Sequence, residues 1–274
     1  MNILYLLVTV FFLFFGNSCH CAKSVSSKRR LTNNRVIGGV VATEPIYYQI
    51  SLQKFYPTSQ TWRHICGGSI IGKSHVLTAA HCTDGKKPEQ LSVVVGTSSL
   101  RAGGLRHLIK SYVQHESYSS RGSSVYNDVS VIKVEVPFKF SDKVGPISLA
   151  ENFDRRMENN YPVTLTGWGV IDMYSQLIIP ENLMILNYTT ISNEECKLRG
   201  YAGVSSNELC AFVGRGKGSC LGDSGGPLVN RDRNILIGLV SYGSNICASN
   251  KPDVYVRVSK FIPWIQRAVK DLIP

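Results

Sequence analysis

The sequence predicts an all-β protein. Three observations carry this reading: short runs rich in β-branched and aromatic residues recur along the chain, most are bounded by Gly, Pro, Asn or Ser, and helical spacing is confined to the C-terminus. In order the runs are Tyr47-Tyr48-Gln49-Ile50-Ser51-Leu52, Leu91-Ser92-Val93-Val94-Val95, Ser130 to Val136, Val163-Thr164-Leu165-Thr166, Ile235 to Tyr242 and Val254-Tyr255-Val256-Arg257-Val258. This is the pattern of an antiparallel barrel or sandwich. From Ile262 to Ile273, Ile262, Ile265, Val269 and Leu272 recur at helical spacing with Lys or Arg between them, which predicts a terminal helix. With 43% hydrophobic and 18% charged residues, the 274-residue chain is too apolar for disorder. No repeat of solenoid or propeller period is visible.

The N-terminal part reads differently. Ile3 to Phe15 is apolar except for Thr9, and its 13 residues fall short of the roughly 20 that a membrane-spanning helix needs. Small residues follow, so residues 1–22 read as a signal peptide, with Ser18 as an alternative cut site to Ala22, although no Lys or Arg precedes the apolar core. Residues 23–35 are polar and basic, unable to bury a core, and read as a removable pro-segment before a domain over 36–274. The expected location is extracellular, with no membrane association after signal removal.

Export implies an oxidising compartment. Cys19 and Cys21 belong to the export signal, which leaves Cys66, Cys82, Cys196, Cys210, Cys220 and Cys247, an even set for which spacing alone allows fifteen pairings. The formal charge of +11 includes Lys23, Lys28, Arg29, Arg30 and Arg35; without them 25 basic residues face 19 acidic ones, a net of +6. That excess is spread along the chain and reads as a solvated surface, so no nucleic-acid partner is expected.

Three local contexts carry chemistry. A serine hydroxyl needs a base to take its proton and an anion to hold that base in the right tautomer. Thr78-Ala79-Ala80-His81-Cys82 presents a histidine, Asn127-Asp128-Val129 an aspartate entering a strand, and Gly222-Asp223-Ser224-Gly225-Gly226-Pro227 a serine in a glycine-rich turn. With this chain order and the surrounding residues, the sequence resembles the chymotrypsin-like (trypsin-fold) serine peptidases from Val36-Ile37-Gly38-Gly39 to the terminal helix. Within the family the pattern is similar to that of arthropod chymotrypsin-like and collagenolytic enzymes.

The resemblance implies two six-stranded antiparallel barrels with the active site in the cleft between them. It implies a secreted serine endopeptidase in which Ser224 is the nucleophile, His81 the base and Asp128 its orienting anion, with the N–H groups of Gly222 and Ser224 forming the oxyanion hole. Ser241 would support Asp128, while Tyr242 and Gly243 would pair with the substrate backbone, Tyr242 standing where tryptophan is commoner. The implied disulfides are Cys66–Cys82, Cys196–Cys210 and Cys220–Cys247. Cleavage after Arg35 would free the amine of Val36 to insert and pair with Asp223. Leaving a buried carboxylate without its partner costs about 3–5 kcal/mol, so before cleavage Asp223 is expected to lie elsewhere and the oxyanion turn to be unformed. Expected partners are protein or peptide substrates, an activating protease and serine protease inhibitors, and the expected state is a monomer.

The pocket set Gly218, Ser219, Ser241, Tyr242, Gly243 and Asp253 departs from trypsin. Gly218 stands where trypsin has its floor aspartate, which favours Phe, Tyr, Leu, Met or broad cleavage. Asp253 stands where glycine is usual, and it favours either Lys/Arg or a smaller pocket with a protonated acid. The other rival is a catalytically silent binding homologue, against which the complete set of His81, Asp128 and Ser224 argues. Asn187-Tyr188-Thr189 is a glycosylation sequon. The stretch from His81 to Tyr118 lacks the glutamate pair that frames the calcium loop of many trypsins, so neither metal nor cofactor is expected.

Overall fold

The strands form two sheets that close on themselves, each around an apolar interior. The computed structural model describes residues 37–121, 124–151, 158–172 and 177–272, all within the unit Asn33–Pro274. The expected signal peptide, the pro-segment and the Arg35-Val36 bond lie outside the described residues. The strands are β1 (Val40–Val41), β2 (Gln49–Tyr56), β3 (Thr61–Ile70), β4 (His75–Thr78), β5 (Leu91–Val95), β6 (Leu105–Gln114), β7 (Ser119–Arg121) and β8 (Ser124–Tyr126). They continue as β9 (Ser130–Val134), β10 (Ser148–Leu149), β11 (Pro162–Gly167), β12 (Met184–Ile191), β13 (Glu208–Phe212), β14 (Pro227–Asn230), β15 (Ile235–Tyr242) and β16 (Asp253–Arg257). The α-helices are α1 (Ala80–Thr83), α2 (Asn193–Leu198) and α3 (Ile262–Asp271).

The first barrel runs β2-β3-β4-β9-β6-β5 and returns to β2. The second runs β12-β11-β14-β15-β16-β13 and closes through β13 onto β12, with β1 added beside β12 and β10 beside β15. The expected two six-stranded barrels are therefore present. Ile50, Leu52, Val93 and Ile132 fill the first; Leu165, Leu186, Leu209, Leu228 and Tyr255 fill the second.

A third cluster joins them. Leu77 and Val131 from the first barrel meet Leu239 and Val256 from the second under Trp264, Ile265 and Ala268 of α3. Each such side chain, when fully buried, contributes about 1.5–3 kcal/mol, so α3 acts as a clasp across both barrels. The helix ends two residues earlier than predicted, and Trp264 and Ala268 carry more of its buried face than Val269 does.

The strands not recognised in the sequence have a physical reason. Strand β3 contains Cys66-Gly67-Gly68, a poor strand signal. A Cβ at Gly67 would come within 2.8 Å of Gly226 Cα, so the glycine marks where the second barrel approaches the first.

Candidate active site

Strand register brings the histidine and aspartate together before any side chain is considered. Strand β4 pairs antiparallel with β9, Thr78 opposite Ser130, so two steps beyond β4 lie opposite two steps before β9. His81 follows on the single turn of α1, and Asp128 precedes β9. His81 Nδ1–H donates to Asp128 Oδ2 at 2.7 Å, and the backbone N–H of His81 donates to Oδ1 at 2.9 Å. Ser241 Oγ–H gives Oδ2 a further bond at 2.7 Å. Asp128 is 1% exposed and the His81 side chain 28%, so the anion is buried while the ring reaches solvent. Three donors on one carboxylate are what make its burial tolerable.

Ser241 reaches Asp128 from the other barrel because the β15–β16 ladder is irregular. Val240 faces Tyr255 and Tyr242 faces Val254, leaving Ser241 as the extra residue of a bulge.

The serine turn is fastened to both barrels. Gly225 N–H donates to Val240 O at 2.8 Å, Val240 N–H to Gly226 O at 3.0 Å, and Gly67 N–H of the first barrel to Ser224 O at 2.8 Å. Gly225 has φ +72°, and a Cβ there would strike Thr78 Oγ1 and come within 2.9 Å of Ala79 N. The turn thus seats itself on the residues leading into His81. Gly222, at φ +100°, adopts a backbone conformation that only glycine takes readily.

Beneath the turn, Asp223 is fully buried. It accepts the N–H of Gly169 at 2.8 Å and of Cys220 at 2.9 Å. Burial pushes its carboxyl up to about 6 against these two bonds. Gly167 and Gly169 leave room for its oxygens, which occupy the space where a Cβ at either would lie. Val36 lies outside the described residues. Ile37 accepts the N–H of Gly218 at 3.2 Å, which docks the start of the described chain on the loop that leads to Asp223.

Sequence reasoning did not single out His64. Its Nε2 meets Gly222 O at 2.9 Å and its Nδ1 meets Ser51 Oγ at 2.8 Å. Burial holds its pKa down to about 4, so the ring is neutral, donates to Gly222 and accepts from Ser51. A histidine inside a strand carries no local signal of this role; only the pairing of barrels reveals it.

Beside Ser224 opens a cavity of about 280 Å³ lined by Ser219, Ser224, Ser241, Tyr242, Gly243 and Asp253, among others. Of the expected pocket set only Gly218 does not line it. Asp253 Oδ2 would lie 2.9 Å from a Cβ at Gly218, so the aspartate from β16 covers the glycine. Asp253 is buried, accepts the N–H of Ser219 at 2.7 Å, and is pushed by burial up to about 7.

The disulfides are Cys66–Cys82, Cys196–Cys210 and Cys220–Cys247, as the resemblance implied. The first ties β3 to α1 and the third crosses the cavity lining. Among the described residues, one grouping has metal-ligand spacing, Cys66, His81 and Cys82, and both its sulfurs are in the disulfide. Asn187 is exposed on β12, where its Oδ1 accepts Thr164 Oγ1–H at 2.7 Å. Among the described residues no helix is long and apolar enough to cross a membrane.

The trypsin family model matches residues 36–265. The chain belongs to the trypsin family of serine endopeptidases. Chymotrypsin-2 of Vespa crabro is 35% identical over 233 residues, covering 85% of this chain and 99% of that protein. Trypsin epsilon of Drosophila erecta is 31% identical over 244 residues, covering 88% and 90%. Among solved structures, neuropsin, a serine protease expressed in the limbic system of mouse brain, superposes with a TM-score of 0.73 at 29% identity, covering 84% of this chain and 98% of that one. Trypsin-family membership implies protein substrates. The relatives include both chymotrypsins and trypsins, so the family by itself leaves the cleaved bond to the pocket.

Proposed function

We propose that this chain hydrolyses peptide bonds through an acyl-enzyme on Ser224. The observation that carries the proposal is the triple donation to Asp128 from His81 Nδ1–H, His81 N–H and Ser241 Oγ–H, which fixes the tautomer that leaves Nε2 of His81 as proton acceptor. Ser224 Oγ adds to the carbonyl carbon while His81 takes its proton, and the N–H groups of Gly222 and Ser224 stabilise the oxyanion. Collapse breaks the C–N bond, and His81 returns the proton to the leaving amine. Water then adds to the ester, giving its proton to His81, and the acid product departs as Ser224 regains its hydrogen. Labelling at Ser224 by a fluorophosphonate tests this reading; an unlabelled, activated protein would instead favour a silent binding homologue.

The pocket supports cleavage after large apolar residues, or broad cleavage. A carboxyl raised to about 7 is largely protonated in mildly acidic solution and presents no charge to reward Lys or Arg. A second reading, Lys/Arg preference, is favoured by the same Asp253 once ionised. Values of kcat/KM on matched Phe, Leu and Arg substrates decide between them, and a dominant Arg preference overturns the first.

The chain is further proposed to be secreted after loss of residues 1–22, and made as a precursor that an activating protease cuts after Arg35. The new amine of Val36 would then pair with Asp223. Supporting this are the buried, raised carboxyl of Asp223 and the docking of Ile37 on Gly218. The exposed Asn187 supports use of the sequon, and serine protease inhibitors would occupy the same cleft.

A further inference from the structure

A second groove, of about 530 Å³, includes His64, whose ring touches the turn that carries Ser224. It is lined by Trp62, Arg63 and His64 of β3 together with Leu100, Ile179 and Pro180. The groove and the Ser224 cavity share no lining residue; what links them is His64, which lines the groove and bonds the carbonyl of Gly222, two residues before Ser224, at 2.9 Å. A polypeptide with its residue before the cut bond in the cavity therefore sends its leaving half toward the groove.

The groove combines apolar surface with unneutralised positive charge. Ile179 is 48% exposed and continues the exposed Ile178. Arg106 stacks over Trp62 at 4.8 Å, held there by Gln53 Oε1 at 2.8 Å and by Ser92. Lys54 stands directly opposite Arg63 in the β2–β3 register, a pairing of like charges that ordinarily weakens a hairpin, and both stack on Tyr56. The one carboxylate lining the groove, Glu181, is engaged by Arg101 at 3.7 Å. Among the described residues, Lys54, Arg63 and Arg106 have no carboxylate within salt-bridge distance.

Resting on the Ser224-centred reading above, we propose that this groove binds the part of a substrate just after the cleaved bond and selects acidic residues flanked by apolar ones. Arg63 is the principal charge in the groove, with Lys54 and Arg106 raising the potential behind it, while Trp62 and Ile179 grip the apolar neighbours. A sulfated polyanion would use the cations but leave that apolar surface unused, so the occupant is a peptide.

The test uses activated enzyme and peptides identical up to the cut bond, with Glu, Gln or Lys in the second and third positions after it. The Glu peptide is expected to have about tenfold higher kcat/KM than the Lys peptide at low salt, converging as salt screens the charges. Arg63→Glu is expected to bring the ratio to one or below. The ratio is taken within one preparation, so a partly folded variant does not disturb it. Turnover of a short ester with no residue after the cut bond reports on the Ser224 reading separately. A wild-type ratio within about twofold of one, or an unchanged ratio in Arg63→Glu, overturns the proposal. So does heparin binding that depends on Arg63 without any discrimination among the peptides.

Discussion

The backbone N–H of Ser219 meets Oδ2 of Asp253 at 2.7 Å, fastening one wall of the pocket to a buried carboxyl on β16. The next residue, Cys220, gives its N–H to Asp223 at 2.9 Å. Two consecutive amides are thus held by two buried acids, both pushed upward by burial, to about 7 for Asp253 and about 6 for Asp223.

Specificity should therefore vary with pH. Asp253 faces the Ser219 amide, with the Asp223 carboxyl and the Tyr201 ring nearby, and loses its proton as pH rises through about 7. The kcat/KM ratio of Arg to Phe substrates is expected to climb between pH 6 and 8, by about tenfold at most. Asp253→Asn should flatten that rise; a ratio equally steep in the variant would exclude Asp253 as its source.

If Ser224 and His81 form the proposed proton-transfer unit, Ser224→Ala and His81→Ala should each lower kcat by about 10⁴ or more. Ser241→Ala removes one of three donors to Asp128 and is expected to lower kcat about tenfold, with KM little changed. Steady-state kinetics across pH check both, and a change confined to KM would argue against a role for Ser241 in orienting Asp128.

Gly225→Ala should be destabilising by about 2–4 kcal/mol, since the new Cβ meets Thr78 Oγ1 and Ala79 N at a positive φ. Urea unfolding measures it. Gly214→Ala, also at positive φ but with open space around it, provides a comparison and should cost less.

His64 gives an acid-limb prediction. Its pKa falls from 6.5 in the unfolded chain to about 4 in the fold, so the unfolded state takes up the proton first. Its stability contribution, at most about 3 kcal/mol, is complete above pH 6.5 and is lost as pH falls toward 4. Asp223 and Asp253 act in the opposite direction, costing nothing below their unfolded value and most above about 6 and 7. In urea titrations His64→Gln should lose less stability than wild type between pH 6.5 and 4; parallel curves would count against a buried neutral His64.

Arg35→Gln precursor is expected to stay inactive after trypsin treatment, because cutting at Lys28-Arg29-Arg30 leaves the wrong N-terminus. Full activity with the Arg35-Val36 bond intact would refute the activation scheme.

Local composition by itself determined the all-β class, the runs Leu91–Val95 and Ile235–Tyr242 to the residue, the terminal helix, and the three contexts around His81, Asp128 and Ser224. These are legible because each depends on neighbours within a few residues: alternation, helical spacing, glycine at a strained turn. Tertiary structure decided what depends on contact between barrels. The glycines of β3 read as interruptions until Gly226 is seen against Gly67, and His64 reads as an ordinary strand residue until Gly222 is seen against it. Likewise Gly218 reads as an open floor until Asp253, 35 positions later in the chain, is found lying over it. Sequence spacing carries no information about such distances, since closing a barrel brings together residues that only the completed set of strand registers can align.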